Sequence, residues 1–92
     1  MEKKQQYDLM QKIIRELEDL ANSQTSVLKK IAQIEADNIN LSNNSLGNVL
    51  PDVHESVDTG VTKINELLGN FQQDVDNFKT KYEKDLAEDP TA

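Results

Sequence analysis

Asn38-Ile39-Asn40-Leu41-Ser42-Asn43-Asn44-Ser45-Leu46-Gly47-Asn48 decides how this chain of 92 residues folds. On either side of it, apolar residues recur at alternating spacings of three and four. Before it stand Met10, Ile13, Leu17, Leu20, Val27, Ile31, Ile34 and Leu41. After it come Val57, Val61, Ile64, Leu68, Phe71, Val75, Phe78 and Tyr82. Such spacing keeps each set on one face of a helix. Within the quoted stretch the pattern dissolves. Asn and Ser side chains compete for their own backbone, and Gly47 supplies conformations with positive φ. Pro51 disfavours helix at Leu50 and suits the first turn of a new one. The reading is one domain: a helix over about 2–40, a loop over about 41–50 and a helix over about 51–87. Residues 88–92 are expected to fray as a disordered tail.

Two helices joined by a short loop pack antiparallel, so the fold class is an all-α two-helix hairpin. In the first helix, Met10, Leu17, Gln24, Ile31 and Asn38 form one row of the expected seam. Ile13, Leu20, Val27, Ile34 and Leu41 form its companion row. Pairing Met10 with Phe78, Leu17 with Phe71 and Ile31 with Val57 centres the turn on Asn44. Gln24 and Asn38 sit among apolar neighbours, where polar residues cost stability and either fix register or partner choice or simply meet solvent near a splayed end. Gly60 and Gly69 each weaken the second helix by about 1 kcal/mol relative to Ala, and a bend or a close backbone approach is expected near Gly60.

A lone hairpin covers its seam on one side only, while ordering the chain costs about 1.5 kcal/mol per residue. A chain this short makes a marginal core. Tyr7, Ile14, Ala21 and Leu28 widen the first stripe beyond a two-stranded seam, and Leu67 flanks the second. These five residues are the expected partner-binding face. The partner is a helical protein or a second copy of the chain, completing a four-helix bundle.

Charge narrows the partner class. The formal net charge is −7, with six basic and seven acidic groups in residues 1–46 against four and ten in residues 47–92. An acidic second half repels phosphate backbones and anionic lipid, so neither nucleic acid nor a membrane surface is expected. No stretch approaches the ~20 apolar residues of a membrane span. Met1-Glu2-Lys3-Lys4-Gln5-Gln6 leads into polar residues rather than an apolar core, unlike a Sec-type signal. A cytoplasmic chain, or one exported without a Sec signal, is expected. The absence of Cys removes disulfides and thiolate metal sites.

Candidate chemistry is sparse. His54 is the single histidine and has no nucleophile or orienting partner in the sequence, so it reads as a surface residue. Asp74 and Asp76 lie two apart and diverge on a helix instead of converging on a metal. No phosphate loop, EF-hand or zinc spacing occurs. Neither an enzyme nor a cofactor nor a small-molecule substrate is expected. Phe71, Phe78 and Tyr82 read as core.

An acidic hairpin of long helices with Ser45-Leu46-Gly47 in its turn resembles the WXG100-like proteins of type VII secretion. It is most similar to their Trp-less relatives, the small helical partners of LXG toxins. Leu46 stands where the family carries Trp. Tyr82 followed by Asp85 is the nearest match to the family's export signal, an aromatic residue with an acid four positions on. The resemblance implies a non-catalytic adaptor that binds the helical region of a secreted effector. Two other small helical classes fit the same composition: an immunity protein that neutralises a toxin, and a self-assembling structural coiled coil.

Overall fold

The computed structural model describes residues 1–87. Helix α1 spans Lys3–Leu41, α2 spans Asn44–Lys81, and a single turn, α3, spans Glu83–Leu86. The two long helices pack against each other as an antiparallel hairpin, a rod of 67 × 19 × 17 Å. The described residues contain no strand.

The turn is far shorter than the composition of residues 41–50 suggests. Only Ser42 and Asn43 lie outside the long helices. Ser42 adopts the left-handed conformation, φ 57°, and its N–H donates to the Asn38 carbonyl at 2.7 Å. The positive φ expected of Gly47 therefore falls on Ser42, and Gly47 is helical. Asn38 reaches across from the last turn of α1. Its Oδ1 accepts from the Asn43 N–H at 2.8 Å, and its Nδ2 donates to the Asn43 carbonyl at 3.2 Å. Asn43 in turn caps α2, its Oδ1 accepting from the Leu46 N–H at 3.0 Å. Capping of this kind stabilises a helix by about 1 kcal/mol. The Asn-rich stretch is thus two helix ends fastened together, with almost no loop.

Because the cap lies at Asn43, α2 starts seven residues before the position expected from Pro51. Pro51 sits inside the helix. Its missing N–H leaves the Gly47 carbonyl without a helical donor, a defect normally costing about 3 kcal/mol. Gly47 and Pro51 are both exposed, so water can serve that carbonyl. A side chain at Gly47 would meet the Asn38 amide, 3.5 Å from the position of a Cβ. Further along, α2 runs unbroken through Gly60 and Gly69, and Lys79 and Lys81 complement the dipole in its last turn. α2 ends at Lys81, short of the expected residue 87, with Tyr82 as its cap before the single turn α3. The tail expected at 88–92 lies outside the described residues.

A turn of two residues also moves the register. Tyr7 stacks on Phe78 with ring centroids 6.4 Å apart, and the Lys3 ammonium lies 4.3 Å from the Tyr82 ring centre. Phe78 is therefore opposite Tyr7 rather than Met10, nearly one helical turn from the expected pairing. The seam of α2 is the expected row, extended toward the turn by His54 and Leu50.

The seam of α1 differs from expectation. Met10, Leu17, Gln24, Ile31 and Asn38 do point inward, at least half-buried. Their companions are Tyr7, Ile14, Ala21, Leu28 and Glu35, and Ala21 is among the three most buried apolar residues with Ile31 and Val75. The expected companions Leu20, Val27, Ile34 and Leu41 are exposed, and only Ile13 is partly covered. The helix is turned about its axis relative to the sequence reading. Both rows flank the same central row, and the structure places the row of Tyr7, Ile14, Ala21, Leu28 and Glu35 inside.

Removing the Asn38 amide should unfasten this turn. Asn38→Ala is expected to lower stability by about 2 kcal/mol, read as a drop in thermal midpoint by circular dichroism. Gly69→Ala meets nothing within 4 Å and should raise stability by about 1 kcal/mol in the same assay.

Candidate interaction face

Two kinds of surface remain once the seam is closed. On one side of it the flanking rows are polar: Lys4, Gln11, Glu18 and Thr25 on α1, and Asp58, Asn65, Gln72 and Lys79 on α2. On the other side they are apolar. Running away from the turn, the register sets Leu41 beside Leu46 and Ile34 beside Val53. Val27 then falls beside Gly60, and Leu20 beside Leu67. Leu20, Val27, Ile34, Leu41, Val53 and Leu67 are between 37 and 69 % exposed. Four aliphatic residues at seven-residue steps, Leu20, Val27, Ile34 and Leu41, are thus left facing water, while the row inside contains Ala21 and Glu35. The exposed row is more apolar than the inside row of Tyr7, Ile14, Ala21, Leu28 and Glu35.

Of the residues expected to bind a partner, Tyr7, Ile14, Ala21 and Leu28 are withdrawn into the seam and face α2. Tyr7, Ile14 and Leu28 are expected to flank the seam and face water, as is Leu67; the structure instead covers these three against α2. Leu67 remains on the surface, on the apolar side. The face that sequence reasoning missed is the row Ile13, Leu20, Val27, Ile34 and Leu41. Its heptad spacing is plain in the sequence, but its hydrophobicity places it in the expected core.

His54 is not a simple surface residue. Its Nδ1 lies 2.7 Å from Glu35 Oε1 on the other helix, and both side chains are partly buried. The pair continues the seam rows at positions where the other layers are mostly apolar. Its one evident role is to tie α1 to α2 near the turn. Nothing on either side of it resembles a nucleophile. Among the described residues no group of three His, Asp or Glu side chains is placed to hold a metal.

Tyr82 and Asp85, the export-signal-like residues, occupy the open end of the hairpin. Tyr82 packs on Phe78 with centroids 4.8 Å apart and is flanked by the Lys3 and Lys81 ammonium groups. The Lys3 contact holds α1 to the end of α2 by about 0.5–1 kcal/mol at an exposed site. Asp85 is exposed on α3 beside a shallow groove shared with Glu2, Lys3 and Lys4. A larger open groove at the same end, about 390 Å3, is lined by Lys4, Tyr7, Asp8, Lys79, Glu83 and Leu86. Its walls carry charges of both signs and no convergent polar set. The apolar side is the better-formed site.

No helix among the described residues is long and apolar enough to cross a membrane. The contrast between rows is open to test. Ile14→Glu places a charge in the seam and should unfold the hairpin, whereas Leu20→Glu should leave its helicity intact by circular dichroism. No family model matches the chain, nor does any curated protein or solved structure.

Proposed function

We propose that this chain is a non-catalytic helical adaptor that binds another helical protein along its apolar side. The observation that supports this reading is the greasier row of α1, left outside the seam. Burying one exposed aliphatic side chain is worth roughly 1.5–3 kcal/mol, and such a row is maintained in a stable protein when something covers it. A helix or helical hairpin is the fitting occupant. The seven-residue spacing of Leu20, Val27 and Ile34 offers holes for knobs of an incoming helix, completing a four-helix arrangement. The sparse chemistry of the surface, with its one histidine engaged between the helices, agrees with a role in binding.

The resemblance to the small partners of type VII effectors gives the partner class: the helical N-terminal region of a secreted toxin. In that role the hairpin would shield an effector's apolar helices before export. The test is co-expression with helical effector regions encoded beside this chain, followed by affinity capture. A one-to-one complex is expected. Leu20→Glu combined with Ile34→Glu should abolish capture while the hairpin stays helical. Capture that survives both substitutions would overturn the assignment of this face.

A further inference from the structure

We infer that in the absence of another partner the apolar side is covered by a second copy of this chain. The two hairpins lie face to face with their turns at the same end. This rests on the reading of the apolar side as a binding face, and it names one occupant of that face.

Three observations lead to a second copy. First, the face is electrically neutral although the chain carries −7. The apolar rows and the rows bordering them hold Glu16, Asp37 and Asp74 against Lys30, Lys63 and Lys81. The excess acidity lies on the remaining surfaces, which a face-to-face pair keeps in water and apart. Self-repulsion at the contact is therefore absent. Second, the area suffices. From Ile13 to Leu41 the row extends about 42 Å along the helix, on a rod 19 Å across. That gives about 800 Å2 per copy, the size of a standard stable interface.

Third, the face complements itself in one orientation. Val27 and Gly60 lie side by side at its middle, one projecting and one vacant. A Cβ added at Gly60 would meet nothing within 4 Å. A twofold axis along the rod sets α1 of one copy over α2 of the other at the same height. Each Val27 then lies over the partner copy's glycine notch, and each Leu20 over a leucine. The alternative axis, across the rod, sets α1 over α1 with the apolar rows fully overlapped. Glycine would then face glycine across a void, and Glu16 would meet Asp37 twice at the rim. Like charges and an empty layer both count against it. The turns-together dimer has neither defect.

Mass and orientation test this together. The purified chain, alone and at tens of micromolar, should scatter light as a particle of twice 10.4 kDa. The sequence has no cysteine, so Ser45→Cys carries a single spin label in the first turn of α2. Pulsed dipolar spectroscopy should place the two labels of a dimer close together, far short of the 67 Å rod length. Gly60→Leu fills the notch and should weaken dimerisation at least about tenfold with helicity retained. A monomer, a larger assembly, labels separated by nearly the rod length, or a Gly60→Leu dimer as tight as the parent would overturn the inference. A monomer that still captures a helical effector through Leu20 and Ile34 leaves the adaptor reading standing. A turns-together dimer that never yields to such a partner removes the adaptor reading instead.

Discussion

Two hydrogen bonds from the Asn38 side chain to the backbone of Asn43 govern the rest of this hairpin. They hold the end of α1 to the cap of α2 and allow only Ser42 and Asn43 between the helices. A turn of two residues leaves no slack. Once it is set, Tyr7 must lie opposite Phe78, and the layers between follow at seven-residue steps. With α1 so placed, Tyr7, Ile14, Ala21, Leu28 and Glu35 turn inward beside the central row. The outcome is a modest core, with Ala21, Ile31 and Val75 its most buried members, and a richer apolar row displayed on one flank.

That distribution links energetics to function. A chain that placed Ile13, Leu20, Val27, Ile34 and Leu41 inside would bury more apolar surface and stand alone more easily. This chain instead spends local polar chemistry at both ends of the seam. Asn38 and Asn43 close the turn, Glu35 and His54 bridge the helices beside it, and Lys3 covers Tyr82 at the open end. These contacts specify one register without consuming the aliphatic row. The hairpin is held in place by specific pairs, and its aliphatic row stays exposed.

Much of this architecture is legible in the residues. Two helical periodicities and an Asn/Ser-rich break give an antiparallel hairpin, and the α2 seam from Val57 to Tyr82 reads correctly. The α1 seam does not. Periodicity reports that three rows are apolar or small, but it cannot say which two of them meet α2. Hydrophobicity favours the row that the structure leaves exposed. The turn misleads for a related reason. Asn, Ser and Gly are counted as loop formers, yet Asn43 is a cap and Asn44 to Gly47 are helical. Pro51 suggests a helix start, but a cap formed by tertiary bonds to Asn38 overrides it. Glu35 and His54 escape notice because their partnership exists only across the hairpin.

Register carries the account, and disulfide trapping measures it most directly. In the cysteine-free chain, Ile14→Cys with Phe71→Cys places two thiols in one seam layer, whereas Leu17→Cys with Phe71→Cys places them in the layer of the alternative register. At dilution, mild oxidation should close the first pair within the monomer much faster than the second. Rapid closure of the Leu17 pair, with the Ile14 pair left reduced, would contradict the Asn38–Asn43 turn and the exposed row that depends on it.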